Sequence, residues 1–385
     1  MPHSPVTYFD HAATSWPKPK AVMEAVQASM LEEGANPGRG GHIMAKRAGQ
    51  RLLRARMALA DLLQVSNPID IAFTYNTTMA LNMAIYGYVR PGDHVVATAV
   101  EHNSVRRPLE ELRRKQGVHV TYVNTDEQGQ LNLKQLEQAI TSSTRLVICN
   151  HSSNLFGSII PVEEISVICH HYGARLLVDA AQSAGLLPIQ VERMGIDMLA
   201  FPGHKGLLGP QGTGGLYLHP DVNIDPLIQG GTGSHSEGVA QPLTRPDRYE
   251  AGTPNTAGIA GLEAGVKYVL NESVEKMYDK EWSLTQRIME TLLSIDGIRV
   301  LGPDPGRPRT GIVSFVAEQA DSAAIAHRLD KEFGIAVRAG YHCTPLAHEA
   351  AGTIGQGAVR ISVGWNTSED DVDRLLEAVH WVCKG

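Results

Sequence analysis

The pattern of apolar and polar positions divides the chain in two. Between residues 69 and 218, apolar β-branched runs occupy 69–74, 94–99, 119–124, 145–150, 175–179, 198–201 and 215–218. Stretches of helical character at 78–88, 104–116, 133–139 and 162–171 separate most of them. Strands alternating with helices predict an α/β unit on a mostly parallel, seven-stranded sheet. Two of the connections carry clear turn chemistry, Pro91-Gly92-Asp93 and Asp126-Glu127-Gln128-Gly129, with residues that interrupt both periods.

Past Gly252-Thr253-Pro254-Asn255-Thr256 the pattern changes. A long helical stretch from about 257 to 293, broken near Asn271, precedes apolar runs at 298–301 and 311–316. A helix near 323–332, a strand near 336–338 and a C-terminal helix follow. The expected organisation is a large domain over residues 16–258 and a smaller α/β domain from 1–15 together with 259–385. Gly302-Pro303-Asp304-Pro305-Gly306-Arg307-Pro308 reads as a surface turn cluster, and no repeat is visible.

Composition narrows the class of protein. With 385 residues, 43% hydrophobic and 19% charged, the chain is long enough for two packed domains and is not of disordered composition. A formal charge of -7 argues against general nucleic-acid binding, and the densest basic group, Arg106-Arg107 with Arg113-Arg114-Lys115, reads as one solvated helix face. No run approaches the roughly 18 apolar residues that span a bilayer, and Met1-Pro2-His3-Ser4-Pro5 does not open a secretory signal, so a cytoplasmic location is expected.

The candidate chemistry begins with two residues. Arg175-Leu176-Leu177-Val178-Asp179 is a short apolar run ending in an acid, which puts a carboxylate at the ligand-binding strand ends of a parallel sheet. Downstream, Ala200-Phe201-Pro202-Gly203-His204-Lys205-Gly206 sets one lysine just beyond another apolar run. A lysine whose pKa is lowered by desolvation condenses with the aldehyde of pyridoxal 5′-phosphate, and a buried carboxylate keeps that cofactor's ring nitrogen protonated. Taken alone, an aspartate such as Asp179 is more often a turn cap; the pair is what points to the cofactor.

Phosphate requires N–H groups and hydroxyls at a helix start, which Asn76-Thr77-Thr78 supplies, although threonine there also suits an N-cap. The four cysteines, Cys149, Cys169, Cys343 and Cys383, are widely spaced and lack the Cys-x-x-Cys spacing of a zinc site, so no metal is expected. Cys343 lies in Arg338-Ala339-Gly340-Tyr341-His342-Cys343-Thr344-Pro345, whose turn-forming residues suit a loop thiol better than a buried apolar one. A reactive thiolate requires an electropositive setting, which Arg338, His342 and Arg360 supply. The glycine-rich stretch 206–215 lacks the Gly-Lys-Ser/Thr of a nucleotide loop.

In order and spacing, Phe9-Asp10-His11-Ala12-Ala13, Asn76-Thr77-Thr78, Glu101-His102-Asn103, His151-Ser152-Ser153-Asn154, Asp179-Ala180-Ala181-Gln182-Ser183, Gly203-His204-Lys205, Ala251-Gly252-Thr253-Pro254-Asn255 and 338–343 resemble the class V aminotransferases. These are fold-type I pyridoxal-phosphate enzymes, and the likeness is greatest to their cysteine desulfurase and selenocysteine lyase branch. The compact Arg-x-Gly-x-His-Cys segment resembles the SufS-like second group.

The resemblance implies that Lys205 is the Schiff-base lysine and that Asp179 pairs with the ring nitrogen. By the same likeness Gln182 and Asn154 face the phenolic oxygen, His102 stacks on the ring and moves protons, and His204 joins Thr77 and Thr78 on the phosphate. Thr253 would reach the phosphate of a partner subunit, making the active site shared across a homodimer. Arg360 would pair with the substrate carboxylate, and Cys343 would take sulfur from L-cysteine as a persulfide, leaving alanine. Asn36 and His42, in the glycine-rich segment 34–42, would face the substrate.

One position departs from the pattern: relatives often carry serine or threonine where this chain has Pro202, so a phosphate contact is lost. L-selenocysteine is a related substrate, and members of the second group often use a sulfur-acceptor protein. Whether the sulfur serves iron–sulfur cluster assembly, nucleic-acid thiolation or selenium supply stays open. So do a different class V reaction, such as transamination or β-elimination with Cys343 incidental, and a non-catalytic cofactor-binding role.

Overall fold

A computed structural model of the chain describes residues 6–37, 40–234, 237–318 and 320–384. The helices are α1 Lys20–Glu32, α2 Ile43–Leu63, α3 Thr77–Tyr88, α4 Asn103–Gln116, α5 Leu133–Ala139, α6 Val162–His171, α7 Thr256–Glu272, α8 Val274–Leu293, α9 Ser322–Phe333, α10 Pro345–Ala350 and α11 Glu369–Lys384.

Seven strands form the large sheet: β2 Ile71–Thr74, β3 His94–Thr98, β4 His119–Val123, β5 Thr144–Asn150, β6 Arg175–Asp179, β7 Met198–Pro202 and β8 Gly214–Leu218, after a short β1 at Thr7–Tyr8. Their spatial order is β2-β8-β7-β6-β5-β3-β4. Only β8 runs against its neighbours; the pairs from β7 through β4 are parallel. Helices cover both faces of such a sheet, which is why β3, β6, β7 and β8 read as near-continuous apolar runs rather than alternating ones. The apolar core divides into one cluster containing Val147, Val178 and Leu199 and another containing Ile148, Leu177 and Ala200, as side chains alternate across the sheet.

A second, antiparallel sheet has the order β12 Arg338–Gly340, β13 Ala358–Ser362, β10 Ile312–Ala317 and β9 Ile298–Leu301. Strand β11, Ile335–Ala336, pairs with β1, so the N-terminal segment is held by the C-terminal part of the chain. The helical stretch from 257 breaks at Ser273, which ends α7 at φ +68 and caps α8 by accepting the Lys276 N–H on its hydroxyl. The expected domain boundary at residue 258 falls in the first turn of α7, whose Ile259, Leu262 and Val266 pack into the large sheet's core.

Two local differences from the sequence pattern have clear causes. The run at 69–74 starts as a 3-10 turn at Pro68–Asp70, because Pro68 fixes its own φ and Asn67 takes the Ile69 N–H. Helices α1 and α2 do not stand out in the sequence. α1 has no side-chain cap, and its exposed Met23, Met30 and Leu31 blur the apolar stripe. Among the described residues no helix is long and apolar enough to cross a membrane.

The parallel strands end together, and register carries Asn150, Asp179 and Ala200 side by side across β5, β6 and β7. Chain order reverses between β3 and β5, the place where open parallel sheets leave a crevice for ligands.

Candidate active site

A cavity of about 230 Å³ opens at these strand ends. It is lined by Thr77 and Thr78 from the start of α3, His102 before α4, Asn154 after β5, Asp179 at the end of β6, Gln182 just beyond it, and His204 and Lys205 after β7. Arg338 and Arg360 complete it from β12 and β13, where they are directly paired in the ladder. Strand-end and helix-start positions thus gather side chains distant in sequence at one place.

Burial governs the chemistry of the two central residues. The Lys205 amine is pushed down to about 8, first by desolvation and then by the Arg360 charge, while Asp179 acts in the opposite direction. The Asp179 carboxyl is raised to about 6 by burial, although the Ala181 N–H at 2.9 Å and Lys205 favour its charged form. A buried carboxylate without a full complement of donors is suited to a cationic partner. Glycine is needed at 203, since a Cβ there would stand 2.1 Å from Thr213 Oγ1.

Helix α3 is capped by Asn76, whose Oδ1 accepts the Met79 N–H at 2.9 Å. The cap is therefore not a threonine, and the Thr77 and Thr78 hydroxyls and N–H groups remain at the helix start, where the dipole favours an anion. His102 is itself the N-cap of α4: its Nδ1 lies 2.7 Å from Ser104 Oγ and 3.1 Å from the Ser104 N–H. Burial, aided by Lys205 and Arg338, lowers its pKa to about 4 and keeps the ring neutral.

Arg360, only 2% exposed, donates Nη2 to Asp10 Oδ1 at 2.9 Å and Nη1 to the Asn154 carbonyl at 3.1 Å. Its pKa is lowered by burial against the opposing pull of Asp10. Among the described residues Arg338 has no ion pair, so Lys205, Arg338 and Arg360 leave the cavity cationic on that side.

Cys343 is half-buried and follows the lining residue His342; both have positive φ, +62 and +49. Its carbonyl accepts the Asn103 N–H at 2.8 Å, which ties the cysteine turn to the residue after His102. The His342 ring is spent on the Ala358 carbonyl at 3.0 Å, and burial lowers its pKa to about 3, so it adds no positive charge near Cys343. Of the three groups expected to make the setting electropositive, the two arginines remain, both in the cavity lining.

Cys343 itself does not line the cavity, and three further expected site residues stand elsewhere. Asn36 and His42 are exposed and do not line the cavity; the His42 Nδ1 caps α2 by accepting the Ala45 N–H at 3.4 Å. Residues 38–39 of that segment lie outside the described residues. Thr253 is exposed in a separate hollow with Tyr75, Met79 and Asn255.

Sequence reasoning also missed Ser104, Asn150 and Ser152 in the lining and the Asp10 support of Arg360. Asp10 lay within a quoted motif, and Asn150 ends its strand as Asp179 does, so a signal existed for both.

The residues present fit pyridoxal phosphate on an observation independent of any relative. Asn150 Oδ1, Asn154 Oδ1, His204 Nδ1, His342 Nδ1 and Arg360 Nε are buried without a hydrogen-bond partner. Each such atom costs about 1–3 kcal/mol unless a ligand or water satisfies it, and they cluster on residues of one cavity. An acid beside a deprotonatable lysine and a helix start for phosphate complete the match.

Known proteins are similar to this chain over nearly its whole length. A protein of Methanothermobacter thermautotrophicus named "Probable cysteine desulfurase" is 39% identical over 97% of this chain and 93% of its own length. The apo structure of a cysteine desulfurase from Thermococcus onnurineus superposes with a TM-score of 0.92 at 34% identity, covering 99% of this chain and 95% of that one. A cysteine desulfurase from Escherichia coli gives 0.89 at 28% identity, covering 98% and 95%. With the model of the aminotransferase class-V family matching residues 7–375, this chain belongs to that family.

Proposed function

We propose that this enzyme is a pyridoxal-phosphate-dependent cysteine desulfurase that converts L-cysteine to L-alanine and takes the sulfur onto Cys343 as a persulfide. Cysteine desulfurases among its relatives support the reaction. The observation that carries the assignment of parts is a single cavity that joins Lys205, Asp179 and Arg360 beside a cysteine turn hydrogen-bonded next to His102.

When bound, the cofactor supplies an electron sink for the substrate's α-carbon. Lys205 would hold its aldehyde, Asp179 its ring nitrogen, and Gln182 and Asn154 its phenolic oxygen. Gln182 Nε2 spends one N–H on the Ala12 carbonyl at 3.0 Å, which leaves the other. Thr77, Thr78 and His204 would hold the phosphate. The unpartnered His204 Nδ1 offers a donor where Pro202 has none.

The remaining roles belong to the chain itself. Arg360 and Arg338 orient the substrate carboxylate. His102 exchanges protons at Nε2, because Ser104 satisfies Nδ1 in either tautomer: its hydroxyl accepts from a protonated Nδ1, and its N–H donates to a bare one. The Cys343 thiolate bonds to the substrate sulfur as the Cβ–S bond breaks; the electron pair stays with carbon, which is protonated to give alanine.

The reading extends to a homodimer in the cytoplasm, with Thr253 of the partner subunit contributing to the phosphate site. The exposure of Thr253 outside the cavity supports this, as does the exposed apolar surface on α1 and α2 that includes Met23, Met30, Leu31, Ile43 and Met44. A sulfur-acceptor protein completes the cycle.

Mass spectrometry after exposure to L-cysteine tests the proposal: the added sulfur should reside on the peptide containing Cys343, with alanine in solution. Cys343→Ala should abolish both and keep the bound cofactor's absorbance. Alanine formation that survives in Cys343→Ala would rule the thiol out.

A further inference from the structure

We propose that Thr344 is a positioning residue that locks Cys343 and His102 into one rigid unit. Residues 341–344 form a tight turn closed by the Thr344 N–H on the Tyr341 carbonyl at 3.0 Å. Its two central residues, His342 and Cys343, adopt φ of +49 and +62. Left-handed backbone is strained for a residue with a side chain, and such a conformation persists only where its surroundings over-determine it. Two in succession require a clamp.

The clamp is visible. Asn154 Nδ2 donates to the His342 carbonyl at 2.6 Å, and the Asn103 N–H donates to the Cys343 carbonyl at 2.8 Å. Thr344 is fully buried, and its Oγ1 donates between the Val100 and Glu101 carbonyls at 3.3 and 3.2 Å. Val100 and Glu101 immediately precede His102, and Asn103 follows it. The bonds from the cysteine turn therefore bracket His102 on both sides.

A side chain that only filled space at 344 would be replaceable by valine. A hydroxyl holding two carbonyls of the histidine segment is not. Without it the strained turn can relax, which moves the thiol relative to the site; a displacement of about 1 Å at a reacting group costs about a hundredfold in rate.

The inference rests on Cys343 being the sulfur-accepting thiol, and the test separates the two claims. Thr344→Val and Thr344→Ser are compared with the parent in two assays. The first is persulfide formation on Cys343 by the holoenzyme, with KM for cysteine and cofactor absorbance recorded alongside. The second is alkylation of Cys343 by iodoacetamide in cofactor-free protein.

Thr344→Val should slow persulfide formation by about ten- to a hundredfold with KM and absorbance retained, while alkylation accelerates several-fold. Thr344→Ser, which restores the hydroxyl, should return both rates toward the parent. If valine does not fold, Thr344→Ala replaces it. Parental rates in the valine protein, or a loss that serine does not rescue, would overturn the clamp. If the parent forms no persulfide on Cys343, the function fails, and the alkylation rates still decide the clamp.

Discussion

Lys205 should react with its aldehyde cofactor at a pH where an ordinary lysine is inert. Burial, with Arg360 next in weight, brings its pKa from 10.5 to about 8, against the pull of Asp179. At pH 7 the neutral amine is then about one-tenth of the population, against about three parts in ten thousand for an unshifted lysine, a gain of roughly 300-fold. Mixing cofactor-free protein with pyridoxal phosphate from about pH 6 to about pH 10 and following the visible absorbance gives the capture rate. That rate should climb about tenfold per pH unit at first and level off above about pH 8. Arg360→Met removes a cation that lowers the pKa and should shift the plateau to higher pH. A rate still climbing tenfold per unit above about pH 9 in the parent would refute the reasoning. The same shift fixes a sign for stability: between about 8 and 10.5 the unfolded chain binds the proton that the folded one has lost, so cofactor-free protein gains stability as pH rises through that window.

Three further outcomes follow from the structure. Asp179→Asn should weaken cofactor binding by about 1.5–3 kcal/mol, the strength of a hydrogen bond to a charged group, read by equilibrium titration; unchanged affinity would remove Asp179 from the site. Arg309 is fully buried and donates to the carbonyls of Phe156, Leu301, Pro303 and Ile312. Arg309→Leu should cost at least about 3 kcal/mol in urea unfolding, since several buried acceptors lose their donor, and a loss below about 1 kcal/mol would contradict that role. Gly302 has φ +90, and a Cβ there would lie 2.1 Å from the Phe156 carbonyl oxygen. Gly302→Ala should therefore destabilise by more than about 1 kcal/mol in the same measurement.

The sequence by itself determined the parts of this protein that depend on neighbours along the chain. The inner strands of the large sheet emerge from their apolar runs, because a strand buried on both faces has to be apolar throughout. Asp179 at a strand end and Thr77 and Thr78 at a helix start were legible for the same reason: their places are set by the element that carries them. Only the tertiary structure decided which distant groups meet. Nothing in the spacing of residues pairs Arg360 with Asp10, sets Thr344 beneath the carbonyls before His102, or turns His342 from a charge donor into a ligand of Ala358. Asn36 and His42 sit in a segment whose glycines suggest a loop, yet a loop's composition does not say which way it faces, and both lie outside the cavity. Local periodicity decides whether a segment is helix or strand. The direction of its side chains toward another element is fixed by packing between surfaces hundreds of residues apart, and that is written in no single stretch of sequence.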